Sequence, residues 1–142
     1  MSATCTEDEP TALLSPAIDI TADLVADLVD RAGYVHPLFH PLPGSGVGPP
    51  LPGQAVLLLM GGLAEQSGAL DHAIAMVELK SVKFLGMLRA GATLRVSILP
   101  LDSRDTSSGA VIQNYRWTGV DGDGRAVVEA DVVMLMSRLE GK

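Results

Sequence analysis

The chain has 142 residues, 47% of them hydrophobic, with a formal net charge of −7 and a single cysteine. This length is enough for one domain with a buried core, and the acidic charge argues against nucleic acid as a partner. No run reaches the roughly 18 apolar residues of a membrane span, and the acidic residues 1–10 do not resemble a signal peptide. We therefore expect a disordered acidic tail over residues 1–10 and one cytoplasmic domain over residues 11–142, with no membrane contact, internal disulfide, bound metal or cofactor.

A short strand is predicted over residues 11–18, followed by an amphipathic helix over residues 20–32. In that helix four apolar residues recur at three- and four-residue spacing between Leu24 and Val29, which is typical of a helix packed on a core. Thr21 precedes this stripe and is the expected cap of the helix N-terminus.

The next segment, residues 33–53, is rich in proline and glycine and holds two histidines. Its composition excludes a helix or a central strand, and a loop of this length in a small domain is typical of a lid or a pocket wall. His36 and His40 each precede a proline, which favours extended backbone. Because an even separation in extended backbone puts two side chains on one side, we expect both imidazoles to face one pocket.

A second helix is predicted over residues 54–66, where the sequence is apolar nearly all round, and it is expected to stop at Gly68. The pair Gly61-Gly62 interrupts it and costs roughly 1 kcal/mol per glycine relative to alanine. We therefore expect another backbone to pack close to this pair. Glu65 is the one acidic residue of this helix.

Beyond Gly68 the sequence period changes to two, which indicates strands. Strands are predicted over residues 73–84 and 93–99, and a hairpin over residues 111–118 and 125–136. The hairpin is joined by Asp-Gly pairs, which favour a tight turn with positive φ. Strands in succession after one central helix predict an α+β fold with a single domain.

In this order, residues 20–136 resemble the MaoC-like enoyl-thioester hydratases and dehydratases. That family follows its first helix with Gly-Asp-x-Asn-Pro-x-His, and its first and fifth positions match here. The corresponding residues of this chain are Gly33, Tyr34 at the Asp position, His36 at the Asn position, Pro37, and Phe39 at the His position, with His40 one residue later. Residues 82–94 are similar to the family's V-x-F-x-x-P-V-x-x-G-D-T-L. The resemblance implies the hotdog fold, in which a curved antiparallel sheet wraps a long central helix.

The resemblance also implies activity on acyl thioesters of coenzyme A or of an acyl carrier protein, by hydration, dehydration or conjugate addition at an enoyl thioester. Hotdog enzymes hold the thioester carbonyl with backbone N–H groups at the start of the central helix, which correspond here to Gly53 and Gln54. His36 is then the expected acid–base residue, with a smaller role for His40. Tyr34 is expected to donate a hydrogen bond or to close the pocket.

Two other functions stay open at this point. Some hotdog thioesterases use a helix carboxylate, and Glu65 is the alternative catalytic acid, although it lies about 18 Å along the helix from residues 52–53. The changed Asp and His positions also fit a non-catalytic subunit that binds acyl chains or pairs with an active homologue. In every case one sheet around one helix leaves apolar surface open, so a homodimer with strands continuing across the interface is expected.

Basic residues fall on or beside the predicted strands, namely Lys80, Lys83, Arg89, Arg95 and Arg116. Two interpretations of them are open. They contact the phosphates of coenzyme A or the acidic surface of a carrier protein, or they protect a solvated sheet edge with charge.

Overall fold

A computed structural model describes residues 11–46 and 48–138, so the expected tail over residues 1–10 lies outside the described residues. Five strands follow one another after the second helix, which is an α+β arrangement, as predicted. The elements are β1 (Leu13–Leu14), β2 (Ile18–Asp19), α1 (Ala22–Ala32), a 3-10 turn (Pro37–Phe39), β3 (Pro50–Leu51), α2 (Gly53–Gln66), β4 (Ala73–Phe84), β5 (Leu88–Arg89), β6 (Thr93–Asp105), β7 (Val111–Val120) and β8 (Ala126–Met136). No helix in the described ranges is long and apolar enough to cross a membrane.

Helix α1 is capped at both ends by the residues that its sequence provides. The Thr21 hydroxyl accepts the N–H of Leu24 at 3.0 Å, which confirms the predicted N-cap. At the other end Gly33 adopts the left-handed conformation, with φ 86°, and its N–H bonds to the carbonyl oxygens of Val29 and Asp30. Because a left-handed φ is easy for glycine alone, Gly33 ends the helix and sets the direction in which the histidine loop leaves it.

Helix α2 has 14 residues and runs without a break through the glycine pair that was expected to interrupt it. Its buried face packs against β6, β7 and β8 and consists of Val56, Met60, Leu63 and Ala64. Met60 sits over a glycine of β7, where a Cβ on Gly119 would lie only 2.9 Å from the methionine sulfur. The missing side chain at that position lets the helix approach the sheet closely.

The main sheet is antiparallel in every pair, in the order β1-β6-β7-β8-β4, with β2 also paired to β6. The predicted hairpin is confirmed as β7 and β8, and its turn has positive φ at Gly124, 82°. Strand β4 forms one edge of the sheet in the described part of the chain. Its apolar side chains are largely uncovered, with Ile74 59% and Val77 51% exposed.

Four further sequence-based expectations need correction. The strand predicted over residues 11–18 is two short strands, β1 and β2, which pair with different parts of β6. Strand β6 continues to Asp105, six residues past the predicted end, because β7 pairs with it along that length. The proline-rich segment contains the 3-10 turn and the short strand β3, which pairs with β5. No atom lies within 4 Å of a Cβ built on either glycine of the helix pair, so no backbone packs there.

Candidate functional site

The start of helix α2 offers backbone donors without protein acceptors. Pro52 is the N-cap, and its carbonyl oxygen accepts the N–H groups of Ala55 at 2.9 Å and Val56 at 3.1 Å. The N–H groups of Gly53 and Gln54 precede the first helical hydrogen bonds and have no partner among the described residues. Together with the helix dipole, they favour a negatively charged oxygen at this position.

The ring of Phe84 lies directly against the first residue of this helix. A Cβ built on Gly53 would be 2.8 Å from two carbons of that ring, which is closer than side-chain contacts allow. A side chain at position 53 would therefore force the Phe84 ring to shift. The sequence analysis did not predict this contact. The V-x-F segment, residues 82–84, placed Phe84 at the end of β4 but did not indicate which residue it would meet.

An apolar cavity of about 390 Å³ opens beside this contact. Its lining is mainly apolar and comes from the 3-10 turn, the start of α2 and the segment after β4. The lining includes Leu38, Phe39, Pro52, Gly53, Val56, Phe84, Leu85 and Met87. None of its lining residues is titratable, so neither loop histidine contributes to this cavity.

Tyr34 links the histidine loop to the start of α2. Its hydroxyl donates to the Oε1 atom of Gln54 at 3.2 Å, and its ring meets that of Phe39 edge to face with 5.1 Å between centroids. Its backbone N–H bonds to the carbonyl oxygen of Val29 in α1 at 3.0 Å. Two of the residues singled out from the sequence, Tyr34 and Gln54, are thus brought into contact.

His36 caps the 3-10 turn with its own ring. Its Nδ1 atom accepts the N–H of Leu38 at 3.0 Å. Because a backbone N–H only donates, Nδ1 carries no proton in this arrangement, and the ring proton lies on Nε2. His36 is exposed. Its Nε2 atom is a hydrogen-bond donor and has no partner among the described residues.

His40 has the complementary arrangement. Its Nε2 atom lies 2.8 Å from the carbonyl oxygen of Tyr34. Since a carbonyl oxygen only accepts, Nε2 carries the proton and donates it, which leaves Nδ1 free to take up another proton. The ring borders a second cavity, of about 630 Å³, between α1 and the proline-rich loop, together with Asp23 and Asp30.

The two histidines do not follow the extended path expected between them. The 3-10 turn at Pro37–Phe39 lies between them. Because a turn rotates the chain, an even separation no longer puts the two side chains on one side. The backbone of His36 is extended, at φ −67° and ψ 139°, as expected before a proline, whereas His40 has φ −131° and ψ 65°.

An apolar groove runs along α2 on the side that faces β4. Near the start of the helix a cavity of about 270 Å³ is lined by residues that include Gln54, Leu58, Gly61, Met76 and Trp117. A larger cavity of about 680 Å³ is also lined by Leu58, Gly61, Met76 and Trp117. It extends further along the helix to Gly62, Glu65 and Leu70. We call these two cavities together the helix groove. Glu65 is exposed and lies at the end of the helix groove farthest from Gln54.

Two of the basic residues already have structural partners. Arg89 donates to the carbonyl oxygen of Gly48 at 2.9 Å, which anchors the end of the proline-rich loop. Arg116 pairs with Asp131 at 2.9 Å across β7 and β8, and this contact raises the pKa of its guanidinium. In the described part of the chain, no cluster of His, Cys, Asp and Glu side chains is arranged to hold a metal ion.

No protein-family model and no curated protein matches the chain. Among solved structures it is similar to the MaoC-like dehydratase from Rhodospirillum rubrum, with a TM-score of 0.75 at 16% identity over 92% of each chain. It is also similar to the HadBC (3R-hydroxyacyl-ACP dehydratase) complex from Mycobacterium tuberculosis, with a TM-score of 0.68 at 17% identity over 88% of this chain and 96% of that one. A third match, at a TM-score of 0.69 and 16% identity, is a conserved Mycobacterium tuberculosis protein with a double hotdog fold; it covers 92% of this chain and 43% of that one. These similarities show that the chain has the hotdog fold, as the sequence resemblance implied, but the long central helix that was expected with it is not observed, since α2 has 14 residues.

Proposed function

We propose that this chain acts on acyl thioesters as a hydro-lyase, adding water to an enoyl thioester or removing it from the product. The observation that carries the proposal is the start of α2, where the N–H groups of Gly53 and Gln54 lack protein acceptors beside an apolar cavity. The carbonyl oxygen of the thioester would accept these donors and gain negative charge as the β-carbon is attacked. The hotdog fold shared with a MaoC-like dehydratase supports the same substrate class by analogy.

His40 is the proposed proton carrier. Its Nε2–H is held by the Tyr34 carbonyl, so the ring is oriented and Nδ1 takes and returns a proton. In hydration, Nδ1 takes a proton from water as the water oxygen bonds to the β-carbon. The electron pair of the double bond moves toward the carbonyl to give an enolate, and the proton on Nδ1 then returns to the α-carbon.

His36 has a different proposed role. A neutral imidazole that gave up its Nε2 proton while Nδ1 accepts from Leu38 would become an anion, which is unfavourable near neutral pH. His36 is therefore proposed to donate a hydrogen bond from Nε2 without transferring the proton. This reverses the order expected from the sequence, in which His36 has the larger role.

Tyr34 is proposed as a positioning residue. Its carbonyl orients His40 and its hydroxyl holds the side chain of Gln54, so one residue links the proton carrier to the carbonyl-binding end of α2. The aspartate that the family pattern has at this position is thus replaced by a group that connects the two parts of the site.

A second candidate function is that of a non-catalytic subunit that binds acyl thioesters beside an active partner. The specific observation in its favour is that the cavity at the start of α2 has no titratable lining residue. A thioesterase that uses Glu65 is less favoured, because Glu65 lies at the opposite end of the helix groove from Gln54.

A homodimer formed through β4 is proposed as the working assembly. This 12-residue edge strand exposes apolar side chains on both faces, and an uncovered edge of this kind pairs readily with another strand. Sedimentation at micromolar concentration should show a dimer. A stable monomer would contradict this part of the proposal.

The test is to incubate the protein with crotonyl-CoA while following both the enoyl absorbance and the release of free thiol. Loss of absorbance without thiol release is the expected result. Thiol release would instead indicate a thioesterase, to be checked with Glu65→Gln. Binding of crotonyl-CoA with neither change would favour the non-catalytic subunit.

A further inference from the structure

Ser81 has an unusual backbone conformation within strand β4. Its φ is 50°, and among the described residues it is the one residue other than glycine with a positive φ. Residues with a side chain rarely adopt this conformation, because it brings the Cβ atom close to the backbone. Strained backbone of this kind persists only where the surrounding structure holds it, and it is common beside functional sites.

Ser81 lies in a β-bulge between β4 and β8. Lys80 is opposite Asp131 and Lys83 is opposite Glu129, so β4 advances three residues where β8 advances two. The pairing of β8 with β7 is regular over the same residues, which means that the irregularity belongs to β4. The extra residue of β4 falls between the two lysines, where the left-handed φ of Ser81 takes it up.

The bulge determines which face of the sheet Phe84 occupies. Leu79 is opposite Val132 and Phe84 is opposite Val128, and both valines belong to the core. Because cross-strand partners lie on one face of a sheet, Leu79 and Phe84 share the core face although they are five residues apart. In a strand without a bulge, an odd separation puts two side chains on opposite faces. A regular β4 would therefore turn Phe84 away from α2 and place Lys83 on the core face instead.

On the core face, Phe84 contributes to the proposed carbonyl site. Its ring lies 2.8 Å from a Cβ built on Gly53, and it lines the apolar cavity beside that residue. The N–H of Gly53 is one of the two proposed donors. A lysine in place of Phe84 would bring an ammonium group to an apolar cavity, which is unfavourable. The bulge thus places the aromatic ring at the cavity and keeps the charge of Lys83 on the opposite face.

We infer that Ser81 is a positioning residue, whose left-handed conformation forms the bulge that holds Phe84 against Gly53 and closes the apolar cavity on that side. This inference rests on the proposed function for the role of the cavity. Pairing with β8 determines the two faces of β4, and it does so whether or not a second copy of the chain pairs with the other edge. Phe84 does not line the cavity of His40, so its position should affect substrate binding more than proton transfer.

Nuclear magnetic resonance of 15N-labelled protein without ligand can test the bulge directly. Phe84→Ala gives the position of the Gly53 amide resonance when no ring is present. In Ser81→Val the Gly53 resonance should move to this position, because a β-branched residue strongly disfavours a positive φ. In Ser81→Gly it should keep the wild-type position, because glycine adopts a positive φ freely. The control Ser97→Val, in a regularly paired part of β6, should also leave it unchanged.

Deletion of Ser81 is the sharper variant. It removes the extra residue, so regular pairing again puts Phe84 opposite Val128 on the core face. The Gly53 resonance should therefore stay close to its wild-type position, although a whole residue has been lost from the strand. A resonance that moves in the deletion but not in Ser81→Val would overturn the inference.

The kinetic readout is a change in KM without a matching change in kcat. In Ser81→Val, KM for crotonyl-CoA should rise roughly fivefold or more while kcat changes less than about twofold, because a cavity wall stabilises bound substrate and transition state alike. Ser81→Gly should match the wild type in both constants. A fall in kcat at unchanged KM would contradict this positioning role.

Ser81→Ala is the milder variant if the valine protein does not fold, and it should move the Gly53 resonance partway to its position in Phe84→Ala. An unmoved resonance in both substitutions would overturn the inference. The same shift in wild-type protein diluted to monomer would also overturn it, because contact with a second copy would then hold Phe84. If the Gly53 resonance follows the expected pattern but the wild type does not hydrate crotonyl-CoA, only the proposed hydro-lyase activity fails. If crotonyl-CoA is hydrated but the resonance does not respond to Ser81→Val, the inference about Ser81 fails alone.

Discussion

Helix α2 carries glycine in two regions, and the surroundings of the two are opposite. At its start, Gly53 is pressed against the ring of Phe84, and any side chain would collide with it. In its middle, a Cβ built on Gly61 or Gly62 would have no atom within 4 Å outside the helix's own backbone, and the pair borders an apolar groove. Gly53 is in close contact within the protein, whereas a side chain on either glycine of the pair would meet open space in the described chain.

This difference shows that a glycine in a predicted helix does not by itself indicate whether that position is closely packed. Close approach of a backbone was expected at the glycine pair, but close contact occurs at Gly53 instead and involves a side chain. Gly53 begins the helix at the proposed carbonyl site, whereas the pair borders the helix groove. Substitutions at the two places are therefore expected to have different effects.

The largest effect is expected at the reacting end of the site. His40→Ala should lower turnover of an enoyl thioester by roughly a hundredfold, since it removes the proposed general acid–base group. Steady-state kinetics with crotonyl-CoA would measure this. His36→Ala, which loses a hydrogen-bond donor only, should cost less. The reverse order would restore His36 to the main role expected from the sequence.

A smaller effect on turnover is expected from crowding the start of the helix. Gly53→Ala should lower turnover by about tenfold, because the new methyl group pushes against Phe84 and shifts the N–H groups that hold the carbonyl. The double variant Gly53→Ala with Phe84→Ala removes the collision and should recover most of the loss. No recovery in the double variant would show that the two residues do not act through their contact.

The glycine pair should respond in the opposite direction. Gly61→Ala and Gly62→Ala should each raise the free energy of unfolding by up to about 1 kcal/mol, because alanine favours the helix and meets nothing. Denaturant unfolding would measure the change, with Gly53→Ala as the comparison that should lower stability. Destabilisation by alanine at the pair would mean that those positions are packed.

The smallest effect concerns Tyr115, which is buried in the core. Burial raises the pKa of its hydroxyl above the ordinary value of 10.0. The folded state thus favours the neutral form, so this contribution to stability is full below pH 10 and is lost as the pH rises through the folded pKa. Tyr115→Phe should reduce the loss of stability above pH 10, as measured by unfolding at several pH values. Identical pH curves would contradict the role of burial.

Much of the fold follows from local patterns in the sequence. The two-residue period of the sequence predicts β4 with the same first and last residues that the structure shows. The Asp-Gly pairs predict the turn of the hairpin. Thr21 caps α1 because a threonine before an apolar stripe needs only a neighbouring N–H. These features depend on residues within a few positions of each other, so the sequence contains the information that they need.

The candidate site depends on contacts that no local pattern contains. The tyrosine that reaches Gln54 lies twenty residues earlier in the chain, and Phe84 lies thirty-one residues after Gly53. The different hydrogen bonds of His36 and His40 follow from the 3-10 turn between them, which proline-rich sequence alone did not predict. The sequence therefore identified Tyr34, His36, His40 and Gln54 as candidate site residues. Their hydrogen-bond partners, which distinguish their proposed roles, follow only from the tertiary structure.

In the proposed function, a thioester carbonyl binds at the start of α2. Nuclear magnetic resonance with 15N-labelled protein and butyryl-pantetheine, an unreactive saturated thioester, can detect this binding at individual amides. The amide resonances of Gly53 and Gln54 should move during the titration, because their N–H groups gain an acceptor. If both stay fixed at saturation while amides elsewhere in the chain move, the thioester binds at another place and the proposed function is wrong.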